Sequence, residues 1–141
     1  MSSKKGFTLV ELMVVILIVA ILASVAIPMM RGRIDSAKWS EAAATAGTIR
    51  SAVKAAFAQD PALVGSAGDL GTSTVRTNLG FGQTDLEGTY FTADDYDYTC
   101  TADESGGAVV VVNVTPSQDN APQGEGELND TGWHVNEASE I

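Results

Sequence analysis

Apolar and polar positions divide this 141-residue chain into three stretches. Residues 12–30 are almost continuously apolar, interrupted only by Ser24 and Pro28. As a helix they would span about 28 Å at 1.5 Å per residue, close to the roughly 30 Å of bilayer hydrocarbon, so a transmembrane helix is expected. The period then changes. Trp39, Ala42, Ala46, Ile49, Val53 and Ala56 recur at spacings of three and four, an apolar stripe on an amphipathic helix. Lys38, Glu41, Thr45, Thr48 and Lys54 take the opposite side, and Asp60-Pro61 closes the helix near Gln59. Pro28 removes a backbone donor and Gly32 loosens the chain, so a break or bend is expected at those two residues.

The third stretch has no helical period. Residues 60–87 read as a long Gly-, Thr-, Ser- and Asp-rich loop with a short helix near 73–79. Strands are expected over 89–92, 96–101 and 108–115, separated by turns at Asp94-Asp95 and Ser105-Gly106-Gly107, which makes an antiparallel meander. Residues 118–130 read as polar loop, Trp133, His134 and Val135 as a short edge strand, and the last six residues as frayed. The fold class is therefore α+β: a long N-terminal helix, transmembrane in its first half, packed by its second half on a small antiparallel sheet. With some 30 residues in the membrane, the remainder suffices for one modest domain.

One carboxylate stands at the edge of the greasy run. Glu11 would cost roughly 2.5–3.5 kcal/mol at mid-bilayer on an isolated helix, and a bare anchor would use Leu instead. A cleaved secretory signal would share the basic start at Lys4 and Lys5, but its apolar region would be shorter and would carry no acid.

These residues carry a specific resemblance. A short basic leader ends in Gly6; Phe7, Thr8, Leu9, Val10 and Glu11 follow, and then the apolar helix with Pro28. The arrangement resembles the type IV prepilins, a superfamily that includes the pilins and the type II secretion pseudopilins. The resemblance implies cleavage between Gly6 and Phe7 by a prepilin peptidase and N-methylation of Phe7. It implies a leader at 1–6, a transmembrane and assembly helix at 7–30, and an exported head at 31–141. The precursor would lie in the inner membrane and then join a homopolymer at the cell surface, built by pilus or secretion machinery. A pseudopilin would remain periplasmic, and a monomeric membrane-anchored binding module is the alternative from another class. Cleavage would leave a cationic amine on Phe7 with Glu11 four residues on, about 6 Å along the helix. Glu11 could then meet its own amine, the headgroups or, as the resemblance implies, the amine of a neighbouring copy, which would fix the axial register of adjacent helices.

Charge and composition narrow the rest. Residues 1–76 hold all eight Lys and Arg against five acids, whereas residues 77–141 hold thirteen acids and no Lys or Arg. Phosphate binding needs a positive stripe, so nucleic acid is not an expected partner of the exposed half. A single cysteine, Cys100, makes no internal disulfide, unlike the cysteine pair of many type IV pilins, and reads as an inward strand residue. No enzyme chemistry stands out: one His and one Cys build no zinc cluster, and His134 has no motif around it. No cofactor is expected. Asp94, Asp95 and Asp97 are the candidate oxygen donors for Ca²⁺, but they lack EF-hand spacing, and a solvated acidic turn accounts for them more simply. Asn113-Val-Thr115 and Asn129-Asp-Thr131 match the N-glycosylation pattern weakly, the second in an expected loop.

Overall fold

The computed structural model describes residues 6–136. Leader residues 1–5, with Lys4 and Lys5, and residues 137–141, five of the six where fraying is expected, lie outside the described residues, while the sixth, Asn136, ends a strand. The chain falls into two compact units that divide after Ser36, and helix α1 (Leu9–Gln59) contributes to both.

In the first unit every large apolar side chain of residues 7–34 is exposed. The helix is long and apolar enough to cross a membrane. It is not interrupted at Pro28 or Gly32, so of the expected break or bend the break is absent. Pro28 lacks one N–H and so removes a single rung, to the Ser24 carbonyl, while ending the helix would require a second, unfavourable nucleation. The Ser24 hydroxyl donates to the Ile21 carbonyl at 2.7 Å, and the Ser36 hydroxyl to the Gly32 carbonyl at 3.0 Å.

In the second unit α1 buries Trp39, Ala42, Ala46, Ile49, Val53 and Ala56, the stripe expected from its period. After α1 come a one-turn helix α2 (Pro61–Val64), strand β1 (Ala67–Asp69) and helix α3 (Ser73–Asn78). A 3₁₀ turn (Ala93–Asp95) then leads into β2 (Tyr96–Ala102), β3 (Ala108–Val114), β4 (Glu125–Asn129) and β5 (Gly132–Asn136). The five strands form one antiparallel sheet in chain order. Alternation turns Tyr96, Tyr98 and Cys100 of β2 and Val110, Val112 and Val114 of β3 into the same core as the α1 stripe. The Cys100 thiol is buried there, as its strand position implied, and burial pushes its pKa up. Burial likewise pushes the Tyr96 hydroxyl up to about 12, with Glu41 and Asp95 adding to the rise and a hydrogen bond with Thr45 opposing it.

Three local expectations change. Residues 89–92 are not a strand, because α1 supplies the partner that a strand would have found in a sheet. The Tyr90 N–H donates to Glu41 Oε1 at 3.0 Å, and the Gly88 N–H closes on the Phe91 carbonyl at 2.8 Å. Phe91 is thereby inserted between Trp39 (ring centroids 5.6 Å apart) and Tyr96 (6.3 Å). Residues 125–129 are strand rather than loop, held between β3 and β5 by backbone pairing although Leu128 is their only large apolar residue. Asn129 thus ends a strand. Residues 67–69 add a short strand on β2, in which Gly68 lies under the Tyr98 ring.

The β4–β5 hairpin is fastened to α1 at two points. Trp133 packs on Trp39 at 6.0 Å between centroids, and Asp130 in the turn meets Arg50 and, at 3.7 Å, Lys54 Nζ. Gly126 makes the first contact feasible. A Cβ there would come within 2.4 Å of the Trp133 ring and 2.9 Å of the Trp39 ring. Gly126→Ala should therefore lower head stability by about 1–3 kcal/mol, despite alanine's entropic advantage over glycine. Thermal denaturation followed by near-ultraviolet circular dichroism checks this, and an unchanged melting temperature would show that the tryptophan rings are not held against residue 126.

Candidate processing and assembly site

Residues 6–8 precede the helix without regular structure. Gly6 and Phe7 are both exposed, and no atom lies within 4 Å of a Cβ placed on Gly6. Among the described residues nothing beyond the chain neighbours covers the Gly6–Phe7 peptide bond, next to a helix that starts two residues later.

Thr8 and Glu11 make that start. The Glu11 N–H donates to Thr8 Oγ1 at 3.2 Å, while the Thr8 N–H and hydroxyl donate to Glu11 Oε2 at 2.9 and 2.8 Å. This reciprocal arrangement satisfies donors that a helix N-terminus otherwise leaves open. The first backbone rung, Leu12 N–H to the Thr8 carbonyl, follows at 3.3 Å. A carboxylate in this turn also faces the positive end of the helix dipole. The sequence reading missed Thr8. Its signal was the T-x-x-E spacing directly ahead of an apolar run, which marks a capping box.

Behind this cap, Val10, Met13, Val14 and Leu17 line an apolar groove at helical spacing, open to the surroundings. The site thus combines a Gly6–Phe7 bond that no described side chain covers, a carboxylate fixed by its own first turn and an apolar face without cover from the described chain.

The other candidate residues are not gathered into a site. Among the described residues no group of three His, Cys, Asp or Glu is placed to hold a metal. Asp94 is exposed, whereas Asp95 is buried and takes the Thr92 N–H at 2.7 Å on Oδ2 and the Ser117 N–H at 2.7 Å on Oδ1. Asp97 accepts from Asn113 Nδ2 at 2.7 Å. Asp95 and Asp97 are thus separate structural acceptors rather than a shared oxygen cage. The second glycosylation-type asparagine is also engaged: Asn129 Nδ2 donates to Glu127 Oε1 at 2.5 Å, and its Oδ1 takes the Thr131 hydroxyl at 2.6 Å. His134 Nε2 lies 2.8 Å from that same hydroxyl.

Comparison with known proteins bears on the N-terminal arrangement. A family described as the prokaryotic N-terminal methylation motif matches residues 1–27. A fimbrial protein of Pseudomonas aeruginosa is 26% identical over 147 aligned positions, which cover 98% of this chain and 96% of that one. A fimbrial protein of Moraxella nonliquefaciens is 43% identical over 53 residues, 38% of this chain and 34% of its own. The type IV major fimbrial protein FimA of Dichelobacter nodosus is 42% identical over a stretch of the same length and coverage. No solved structure matches significantly.

Removing the Thr8 side chain should release Glu11 and fray the first turn by about 1 kcal/mol. In detergent-solubilised chain, Thr8→Ala should speed amide exchange at Glu11 several-fold while Thr8→Ser leaves it slow. Equal exchange in all three proteins would remove the cap from the account.

Proposed function

We propose that this chain, which belongs to the type IV pilin superfamily, is the structural subunit of a type IV pilus filament, made as a prepilin and polymerised through its apolar N-terminal helix. The pilins of this superfamily are structural rather than enzymatic and assemble into pili. One observation carries the reading: the methylation-motif residues lead directly into a helical segment whose large apolar side chains, up to Ile34, are all left exposed by the described chain. Such a surface requires another medium, first lipid and then other copies.

In this reading a membrane peptidase removes residues 1–6 by cutting between Gly6 and Phe7, and the new amine of Phe7 is methylated. Residues 7–30 hold the precursor in the inner membrane and later form the filament core, while residues 31–141 stay outside as the head. The relatives' being fimbrial proteins supports a surface fibre over a secretion pseudopilus. Glu11 acquires a second role on cleavage. The new amine lies one residue before Thr8, so the carboxylate that caps its own helix is also presented to a cation. A neighbour's amine satisfies it in the filament, and a copy in the wrong register leaves both charges stranded in apolar surroundings.

Material sheared from cells should contain filaments of this protein by electron microscopy, with mass spectrometry placing the mature N-terminus at a methylated Phe7. Replacing Gly6 with a bulky residue should leave full-length precursor in the membrane. Mature protein starting elsewhere would refute the assigned cleavage.

Glu11→Gln should insert normally yet cut filament recovery by about a hundredfold, since an uncompensated buried charge costs roughly 3 kcal/mol or more. Wild-type recovery from this variant would leave the register role without support.

A further inference from the structure

Of the eight Lys and Arg, Lys4 and Lys5 precede Gly6, which leaves six. Four of these are engaged within the chain. Lys38 Nζ lies 5.3 Å from the centre of the Tyr90 ring, Arg50 and Lys54 meet Asp130, and Arg76 Nη1 donates to the carbonyls of Leu70 (2.5 Å) and Gly71 (2.8 Å). Arg31 and Arg33 differ. Both are exposed, and neither pairs with a described residue. Standing two positions apart at 3.6 residues per turn, they project about 200° apart around the helix and so address opposite sides of it.

The matching chemistry lies in the head. Residues 77–141 carry thirteen Asp and Glu and no Lys or Arg, and among the described residues of that segment only Asp130 is paired with a cation. Asp94, Glu104, Asp119 and Glu125 are exposed. Packing such heads together brings like charge within the screening length of about 8 Å, a repulsion that must be offset. Guanidinium groups are weakly hydrated and bind carboxylates through two parallel hydrogen bonds, which suits a partly desolvated contact.

We propose that Arg31 and Arg33 are docking contacts for head carboxylates of two other copies, one on each side of the helix. This inference rests on the filament reading above. Anionic lipid offers the same guanidinium groups a phosphate, but it leaves the packed acidic heads unneutralised, whereas a second copy satisfies both charges at once.

The test uses full-length protein in its own cells. Arg31→Lys and Arg33→Lys keep the charge and supply a primary amine, which a carbodiimide condenses with a touching carboxylate to form an amide, the lost water converting the reagent to a urea. Sheared filaments of these variants should yield dimers whose junction peptides join position 31 or 33 to residues 77–141, with no such junction in wild type. The double variant Arg31→Gln, Arg33→Gln should be processed and retained in the membrane as wild type, yet give roughly tenfold fewer filaments. The filaments it does form should be less sensitive to NaCl. Junctions confined to other segments, or wild-type filament yield and salt response in the double variant, would overturn the proposal. So would a double variant whose one defect is weaker retention in vesicles containing phosphatidylglycerol, which would assign the arginines to lipid. If unaltered cells yield no filaments, the filament reading itself fails, an outcome distinct from all of these.

Discussion

The structure turns on an apolar helical surface that its own described chain leaves uncovered. Burying a large aliphatic side chain is worth about 1.5–3 kcal/mol, so residues 7–34 carry a driving force far larger than the stability of a small domain. That force is non-directional. Lipid satisfies it as well as another helix does, and it prefers no axial register. In the proposed filament, order comes from the few charged points on residues 7–34, which are Glu11 at one end and Arg31 and Arg33 at the other. The cost that makes a charge rare beside such a surface is also what makes its pairing selective.

The head follows different physics. It has no disulfide, since Cys100 is alone and buried, and its stability comes from one α1 stripe meeting one sheet face. Small residues at Ala42 and Ala46 bring the helix close, while Trp39, Phe91, Tyr96 and Trp133 fill the wider end. The C-terminal hairpin is held by the Trp39–Trp133 contact and by Asp130 on Arg50 and Lys54, all non-covalent fastenings.

Legibility in the sequence followed the strength of local signals. The α1 stripe, the helix at 73–78 and strands β2 and β3 were readable because period, β-branching and turn residues agreed. Strand β4 was not, because Gly126 is small to admit two tryptophan rings and the outward residues are polar, so no alternation survives. Residues 89–92 misled for the opposite reason: their β-rich composition serves one buried ring, Phe91, on a loop that Glu41 pins. At Pro28 the helix continues without the break that was one of two expectations there, because a single missing rung does not end a long helix. Glu11 was conspicuous as a charge beside a greasy run, while its partner Thr8 was hidden in plain spacing. The aspartates at 94, 95 and 97 are adjacent in sequence, yet alternation and a 3₁₀ turn give Asp95 and Asp97 separate partners.

The central claim is that a carboxylate which caps its own helix in the precursor meets another copy's amine in the polymer. A cryo-electron microscopy reconstruction of the native filament, at a resolution that places side chains, tests this most directly. The account predicts the Phe7 nitrogen of one subunit within about 4 Å of the Glu11 carboxylate of another, an ion-pair distance. A well-resolved Glu11 bonded to its own Thr8 alone, with every Phe7 amine lying elsewhere, would contradict it.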